Sequence, residues 1–256
     1  MRTPITLLVL LAFLNASAQA DLNQMIQERM QQQGMGGMRM EDDNDPFVPN
    51  TFVGSFRMEM HNYKGAVEQQ HSPMNMRFWS TTDMTLVQMQ MPAQQAQQMK
   101  MLTDHKGKWT YMLMTDEKGA KRAMKSKKKK VVMTSEPTTP KKEPVITVTK
   151  ETKVIDGQTC TKVIAVSEDG TWTGWVARTV ESPFGDLLRS MQQRGADSHM
   201  TVAKSVQGMP LEYEWIDAKT KDRLVCHIRE LQHGKVDASA FSLVGYEVME
   251  MPSFGR

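Results

Sequence analysis

The stretch TFVGSFRMEMH, residues 51–61, decides the fold class. Phe52, Gly54, Phe56, Met58 and Met60 alternate with Val53, Ser55, Arg57, Glu59 and His61, so apolar side chains recur with a period of two. Two is the side-chain period of a β-strand, and the alternation predicts a strand with one face toward a core and one toward water. The Met-x-Met spacing recurs at Met38/Met40, Met58/Met60, Met74/Met76, Met89/Met91, Met99/Met101, Met112/Met114 and Met249/Met251. Twenty-four methionines in 256 residues would give roughly two such pairs by chance. Each pair on a strand puts both thioethers on the same face of a sheet. That face is apolar and adaptable, and it also offers sulfur to a soft metal.

Working outward, the same period predicts further strands. Met74, Met76 and Phe78 mark one, followed by a turn at Ser80-Thr81-Thr82-Asp83. Val87, Met89 and Met91 end the next before Pro92. Residues 99–103 and 108–115 flank His105-Lys106-Gly107 as a hairpin. In its second arm Trp109, Tyr111 and Leu113 face one way, Met112 and Met114 the other, so both faces need cover. Strands are expected again at 145–155, 159–166, 171–178, 211–217 and 223–231, with turns at Asp156-Gly157 and Asp169-Gly170. The clearest helix spans 183–194, with Ser182 to cap it, Pro183 at its first position and Phe184, Leu187, Leu188 and Met191 as an apolar stripe. The expectation is a mainly β (α+β) protein: a curved antiparallel sheet or incomplete barrel with one or few covering helices.

The N-terminus is an export address. Arg2 precedes the apolar run Ile5–Leu14, and Ala18-Gln19-Ala20 offers a small-residue cleavage site before Asp21. The run is too short to span a bilayer, and no cysteine follows the cleavage site for lipid attachment. The expected location is periplasmic or secreted. Residues 21–50 combine methionine, glutamine and glycine with the acidic run Glu41-Asp42-Asp43-Asn44-Asp45, which predicts a flexible lead-in. Residues 51–256 form the expected single domain, interrupted by a Lys/Pro-rich loop at 121–144. A formal net charge of +3 argues for no nucleic-acid partner. Seven basic residues lie between Lys121 and Lys130. They read either as a solvated strand end and loop, or as a patch touching an anionic membrane surface. Cys160 and Cys226 are candidates for a disulfide in an oxidising compartment. The alternative is two buried thiols.

Two segments carry a family resemblance. VIDGQTCTKVIAVSEDGTWTGWVAR (154–178) pairs an Ile-x-Gly turn and a Cys-bearing strand with a Trp-bearing strand. The tail holds a Gly-x-Pro strand start and the closing positions Asp237, Ser239, Phe241, Gly245 and Tyr246. The chain resembles an uncharacterised bacterial envelope family, domain of unknown function forty-four twelve. That resemblance implies a fold similar to the LolA-like periplasmic lipoprotein carriers, with an apolar cavity between sheet and helices. It implies no catalytic residue.

Catalytic signatures are lacking. The histidines His61, His71, His105, His199, His227 and His233 are scattered, without an H-E-x-x-H helix or a G-x-S-x-G elbow. The glycines at 34–37 lack the strand-loop-helix setting of a phosphate loop. No enzyme and no cofactor is expected. Met58, Met60 and His61, with His71, Met74 and Met76, combine donors that suit Cu(I), but on an ideal strand His61 points away from Met58 and Met60. The leading expectation is a non-enzymatic protein holding a lipid or acyl chain against Phe56, Met58, Met60, Met76, Phe78, Met89, Met91, Met112 and Met114. The alternatives are a periplasmic Cu(I)-binding protein and an envelope adaptor without a small ligand.

Overall fold

The computed structural model describes residues 38–70, 72–90, 99–116, 118–133, 142–190, 202–203 and 205–251. The export segment 1–20, residues 21–37 of the lead-in, His71, Met91 and His199 lie outside them. In chain order the strands are β1 (Met38–Asp42), β2 (Gly54–Lys64), β3 (Val67–Glu68), β4 (Met74–Ser80), β5 (Met84–Gln90), β6 (Met99–Asp104), β7 (Trp109–Thr115), β8 (Lys121–Lys127), β9 (Lys129–Met133), β10 (Val145–Ile155), β11 (Gln158–Val166) and β12 (Gly170–Ala177). Helix α1 (Phe184–Ser190) follows, then β13 (Met209–Asp217), β14 (Arg223–His233), a 3-10 turn (Ala238–Phe241) and β15 (Glu247–Glu250).

Two compact units are distinguished: Met1–Met40 with Val131–Thr138, and Glu41–Lys130 with Thr139–Arg256. Of the first, residues 38–40 and 131–133 are described, as ends of β1 and β9, which pair in a two-stranded ribbon. The second holds a large open sheet in the order β10-β11-β12-β13-β14-β2-β4-β5-β6-β7-β8-β15, with β3 beside β2. It is two antiparallel meanders, β2–β8 and β10–β14, joined where β14 pairs with β2. The path ends on β10 and β15 without closing. Mainly β, open, and antiparallel except where β15 runs parallel to β8, it has the architecture that the alternation predicts.

Local chemistry sets the turns. Asp156 and Gly157 both take positive φ, 50° and 75°, in the two-residue turn between paired Ile155 and Gln158. Such turns match the twist of the strands they join, hence the Asp-Gly preference. Ser182 Oγ accepts the Phe184 N–H at 3.4 Å to open α1. One turn on, the buried Asp186 carboxylate accepts the Thr51 N–H at 2.9 Å and the Phe52 N–H at 3.0 Å, fixing the chain where it enters β2.

A large apolar cluster lies between α1 and the sheet face carrying Phe56, Met58, Met60, Met76 and Phe78. The rings of Phe56 and Phe78 sit 5.1 Å apart, and Phe52 stands edge-on to Phe56 at 5.8 Å. In the second meander Trp172 stacks on Tyr213 at 5.6 Å. Gly174, two residues after Trp172 on the same face, leaves room for that indole. A Cβ there would stand 2.2 Å from ring atom Cη2. On the opposite face of β5–β8, Leu86, Leu102, Leu113 and Ala123 pack under Phe241, with Leu243 and Tyr246 beside it.

Three expectations are corrected. The loop foreseen at 121–144 is strand over β8 and β9, with Ala123 buried under Phe241 and Met124 half-buried on the other face. Residues 41–50 are not a free lead-in. The acidic run and the basic run are each other's counter-ions: Lys128 Nζ lies 2.5 Å from Asp43, Lys129 2.5 Å from Asp42, Lys130 2.6 Å from Asp45 and Lys127 3.9 Å from Asp42. Lys125 covers the Trp109 ring at 3.7 Å, Lys121 faces Tyr246 at 5.7 Å, and Arg122 reaches Glu247 at 3.9 Å. All seven basic side chains of the run therefore have intrachain partners. Each block repels itself when considered alone, which is why neither looks ordered in sequence.

The third correction concerns the cysteines, which are free and buried rather than bridged. Strands β12 and β13 lie between β11 and β14. Three strand spacings amount to about 14 Å, well beyond the roughly 7 Å Cα limit for a bridge. Burial pushes the Cys226 thiol up to about 12. A thiol reagent should therefore count no reactive cysteine in the folded protein and two in denatured, unreduced protein.

Gly174→Ala should lower stability by about 1–3 kcal/mol in urea denaturation, because the rigid Trp172 ring must move. Thr173→Ala, on the other face, should stay within roughly 0.5 kcal/mol.

The Asp43–Lys128 pair is buried, at 8% and 6% side-chain exposure. Removing one partner strands the other, so Asp43→Ala should cost about 3–5 kcal/mol, and replacing both by leucine should recover most of it. Burial pushes the Asp43 carboxyl up, but the Lys128 hydrogen bond, the Asp45 N–H and the charges of Lys128 and Lys108 outweigh it and hold it below its ordinary 3.8. The hydrogen bond from Lys129 leads the lowering of Asp42. Depressed carboxylates stabilise fully above their unfolded pKa and lose that contribution as pH falls through the folded value. Acid titration of wild-type stability should therefore fall below about pH 4, less steeply in Asp43→Ala.

Candidate functional site

The registers turn the Met-x-Met spacing into rows that cross the sheet. In antiparallel pairs, directly opposed residues share a face. One row runs Ile228–Met58–Met76–Met89–Met99–Met114–Arg122 over β14, β2, β4, β5, β6, β7 and β8. Beside it on the same face, a second runs Phe56–Phe78–Val87–Met101–Met112–Met124, and the parallel pairing of β15 extends it to Met249. A third row of hydroxyls, Ser80–Thr85–Thr103–Thr110–Ser126, borders the second. Asn50 closes over that row, donating to Ser80 Oγ at 3.2 Å, and buried His105 contacts Thr85 Oγ1 at 3.1 Å.

Burial changes along these rows. Met58 and Met76 are 1% and 2% exposed, whereas Met99 and Met249 are 49% and 41% exposed. Met89, Met101, Met112, Met114 and Met124 lie between. The methionine face therefore begins as core under α1 and ends open to solvent. Of the residues expected to line a ligand, Phe56, Met58, Met60, Met76 and Phe78 are packed core, filled by neighbouring side chains. Met89, Met112 and Met114 are half-buried on the open part, and Met91 lies outside the described residues. Sequence reasoning missed Met99, Met101, Met124 and Met249 as members of this face. The signal for the first two was the hairpin at 105–107, since its length sets which residues of β6 and β7 oppose each other. Met124 and Met249 join through long-range pairing.

Among the described residues, the Met-His set read from residues 58–76 does not assemble. Met58 and Met60 are in the core, while His61 is on the opposite face. There its Nε2 contacts Glu59 at 2.7 Å and its Nδ1 contacts Glu68 at 2.6 Å. Burial alone would push His61 down, but its two carboxylate partners outweigh that and hold it above its ordinary 6.5. The Glu59 carboxyl is lowered chiefly by the His61 hydrogen bond. Arg57 and Arg77 both pair with Glu230, and Arg229 with Glu212, so this face is a lattice of opposite charges. Its groups neutralise one another. Among the described residues, no three His, Cys, Asp or Glu side chains are grouped to hold a metal ion.

The chain is similar to several solved structures. It matches PNGF-II, in a P21 crystal form, at 11% identity and a TM-score of 0.33, over 78% of this chain and 32% of that one. This chain thus spans about a third of that protein's length. A domain from Vibrio parahaemolyticus named for outer membrane lipoprotein sorting matches at 9% identity and a TM-score of 0.29, over 73% and 89% of the two chains. A DUF1329 family protein from Desulfovibrio piger matches at 8% identity and a TM-score of 0.21, over 75% and 91%. No curated protein matches the sequence. The family model described as "Domain of unknown function (DUF4412)" matches residues 52–244, from the strand that opens the sheet to the segment covering its far face. The chain belongs to this family.

Proposed function

We propose that this chain is a non-enzymatic protein of the bacterial envelope, periplasmic or secreted, that holds an acyl chain or similar apolar ligand on the open half of its methionine face. The observation that supports this reading is the burial gradient along the two methionine rows. A sheet that needed only a core would cover its apolar face or make it polar where cover ends, because exposed contiguous apolar surface is unfavourable in water. Here the side chains stay methionine from β5 to β7 in the first row, which ends on Arg122, and from β6 to β15 in the second. Methionine adapts its three side-chain torsions to irregular partners, which suits a chain of variable length and kink better than branched residues do. Full coverage of one methionine side chain contributes about 1.5–3 kcal/mol, so a ligand spanning several is held without a polar anchor.

The basic run 121–130 has no part in this reading as a membrane patch, because its charges are engaged within the chain. Export rests on residues 1–20.

Native mass spectrometry of protein purified from its own envelope should detect a bound lipid, and delipidated protein should take up a fluorescent fatty acid. Met99→Gln with Met114→Gln replaces two thioethers by polar groups of similar length, and should weaken uptake at least tenfold with little change in melting temperature. An empty chain that takes up no fatty acid overturns the proposal.

A further inference from the structure

Two Met-x-Met pairs are brought face to face by a single hairpin. Asp104 and Trp109 close it around His105-Lys106-Gly107-Lys108, with the Gly107 N–H donating to Asp104 Oδ1 at 2.6 Å. That closure opposes Met99 to Met114 and Met101 to Met112. Directly opposed residues have Cβ atoms about 4.5–5.5 Å apart, and residues two apart on one strand are separated by about 7 Å. The four Cβ atoms thus outline a rectangle small enough for the long thioether arms to meet above its centre. Met99 is exposed and Met101, Met112 and Met114 are partly accessible, so an ion has an entry path.

The surroundings select the kind of ion. Met89 flanks Met99, Met124 flanks Met112, and Val87 flanks Met101. Arg122 next to Met114 carries its charge toward Glu247. No imidazole, thiolate or carboxylate opposes the four thioethers in these two rows among the described residues between β5 and β8. Neutral thioethers without hard or borderline donors discriminate against Zn²⁺, Ca²⁺ and Mg²⁺ and favour soft monovalent ions.

We propose that Met99, Met101, Met112 and Met114 form an all-thioether site for one Cu(I) ion. The site uses the same face as the acyl-chain reading but a different property of it, sulfur rather than apolarity. It also differs from the Met-His set that the sequence offers at 58–76. Met58 and Met60 are locked in packing there, and His61 lies across the sheet.

The test is anaerobic titration of the mature chain with Cu(I) buffered by bicinchoninate, read as loss of the chelator–metal colour. Wild type should withdraw one Cu(I) per chain, and X-ray absorption of the complex should show sulfur ligands only. Met→Leu keeps size and apolarity and removes the sulfur, usually at small cost in stability. Met101→Leu with Met112→Leu should weaken Cu(I) binding at least tenfold. Met58→Leu, in the core, should leave Cu(I) binding unchanged. No withdrawal of Cu(I) by wild type, or binding that survives the quadruple Met→Leu variant, overturns the proposal. Because fatty-acid uptake is measured on the wild-type chain, independently of Cu(I) withdrawal, failure of the metal site and failure of the lipid reading are separate results.

Discussion

The in-register pairing of β2 and β4–β8 is the constraint on which the rest depends. Side chains alternate with period two, so a slip of one residue at any hairpin would reverse the faces of every strand beyond it. At β7 that slip would carry Leu113 out of its packing with Leu86, Leu102, Ala123 and Phe241, and bury Met112 and Met114 in its place. The apolar demand of the second face therefore holds the methionines in their rows. Packing beneath Phe241 positions thioethers it does not touch.

A second constraint is electrostatic. The acidic residues 42, 43 and 45 and the basic residues 127–130 are separated by more than eighty positions and would each repel themselves in isolation. Brought together they hold the approach to β2, beside the hydroxyl row that Asn50 covers. Their most buried member, Asp43 with Lys128, is the kind of pair that is costly to break and cheap to replace as a whole. Its retention in charged form fits a role in fixing the path of this segment rather than in raising stability as such. The depressed carboxylates make that path sensitive to acid.

Much of the fold was legible because its signals are local. The Asp-Gly turn at 156–157, the alternation in 52–61 and the cap at Ser182 each act over a few residues, and the strands and helix start they predict are present. Strand character was missed at 121–133, where charge outweighed a weak alternation around Ala123 and Met124. The candidate site was half legible. Period two placed Met112 and Met114 on one face of their strand, but which methionines oppose them depends on hairpin length and on β15 returning to β8.

By itself the sequence determined that the methionines would lie in same-face pairs, because that follows from strand geometry alone. It also determined the fold class and the turn positions, which rest on short-range sterics. Only the tertiary structure decided that the pairs align into two rows, that Met58 and Met76 are core while Met99 and Met249 reach solvent, and that Cys160 and Cys226 stand too far apart to bond. Those outcomes depend on strand order and on what covers each strand, and both arise from contacts between residues far apart in the chain.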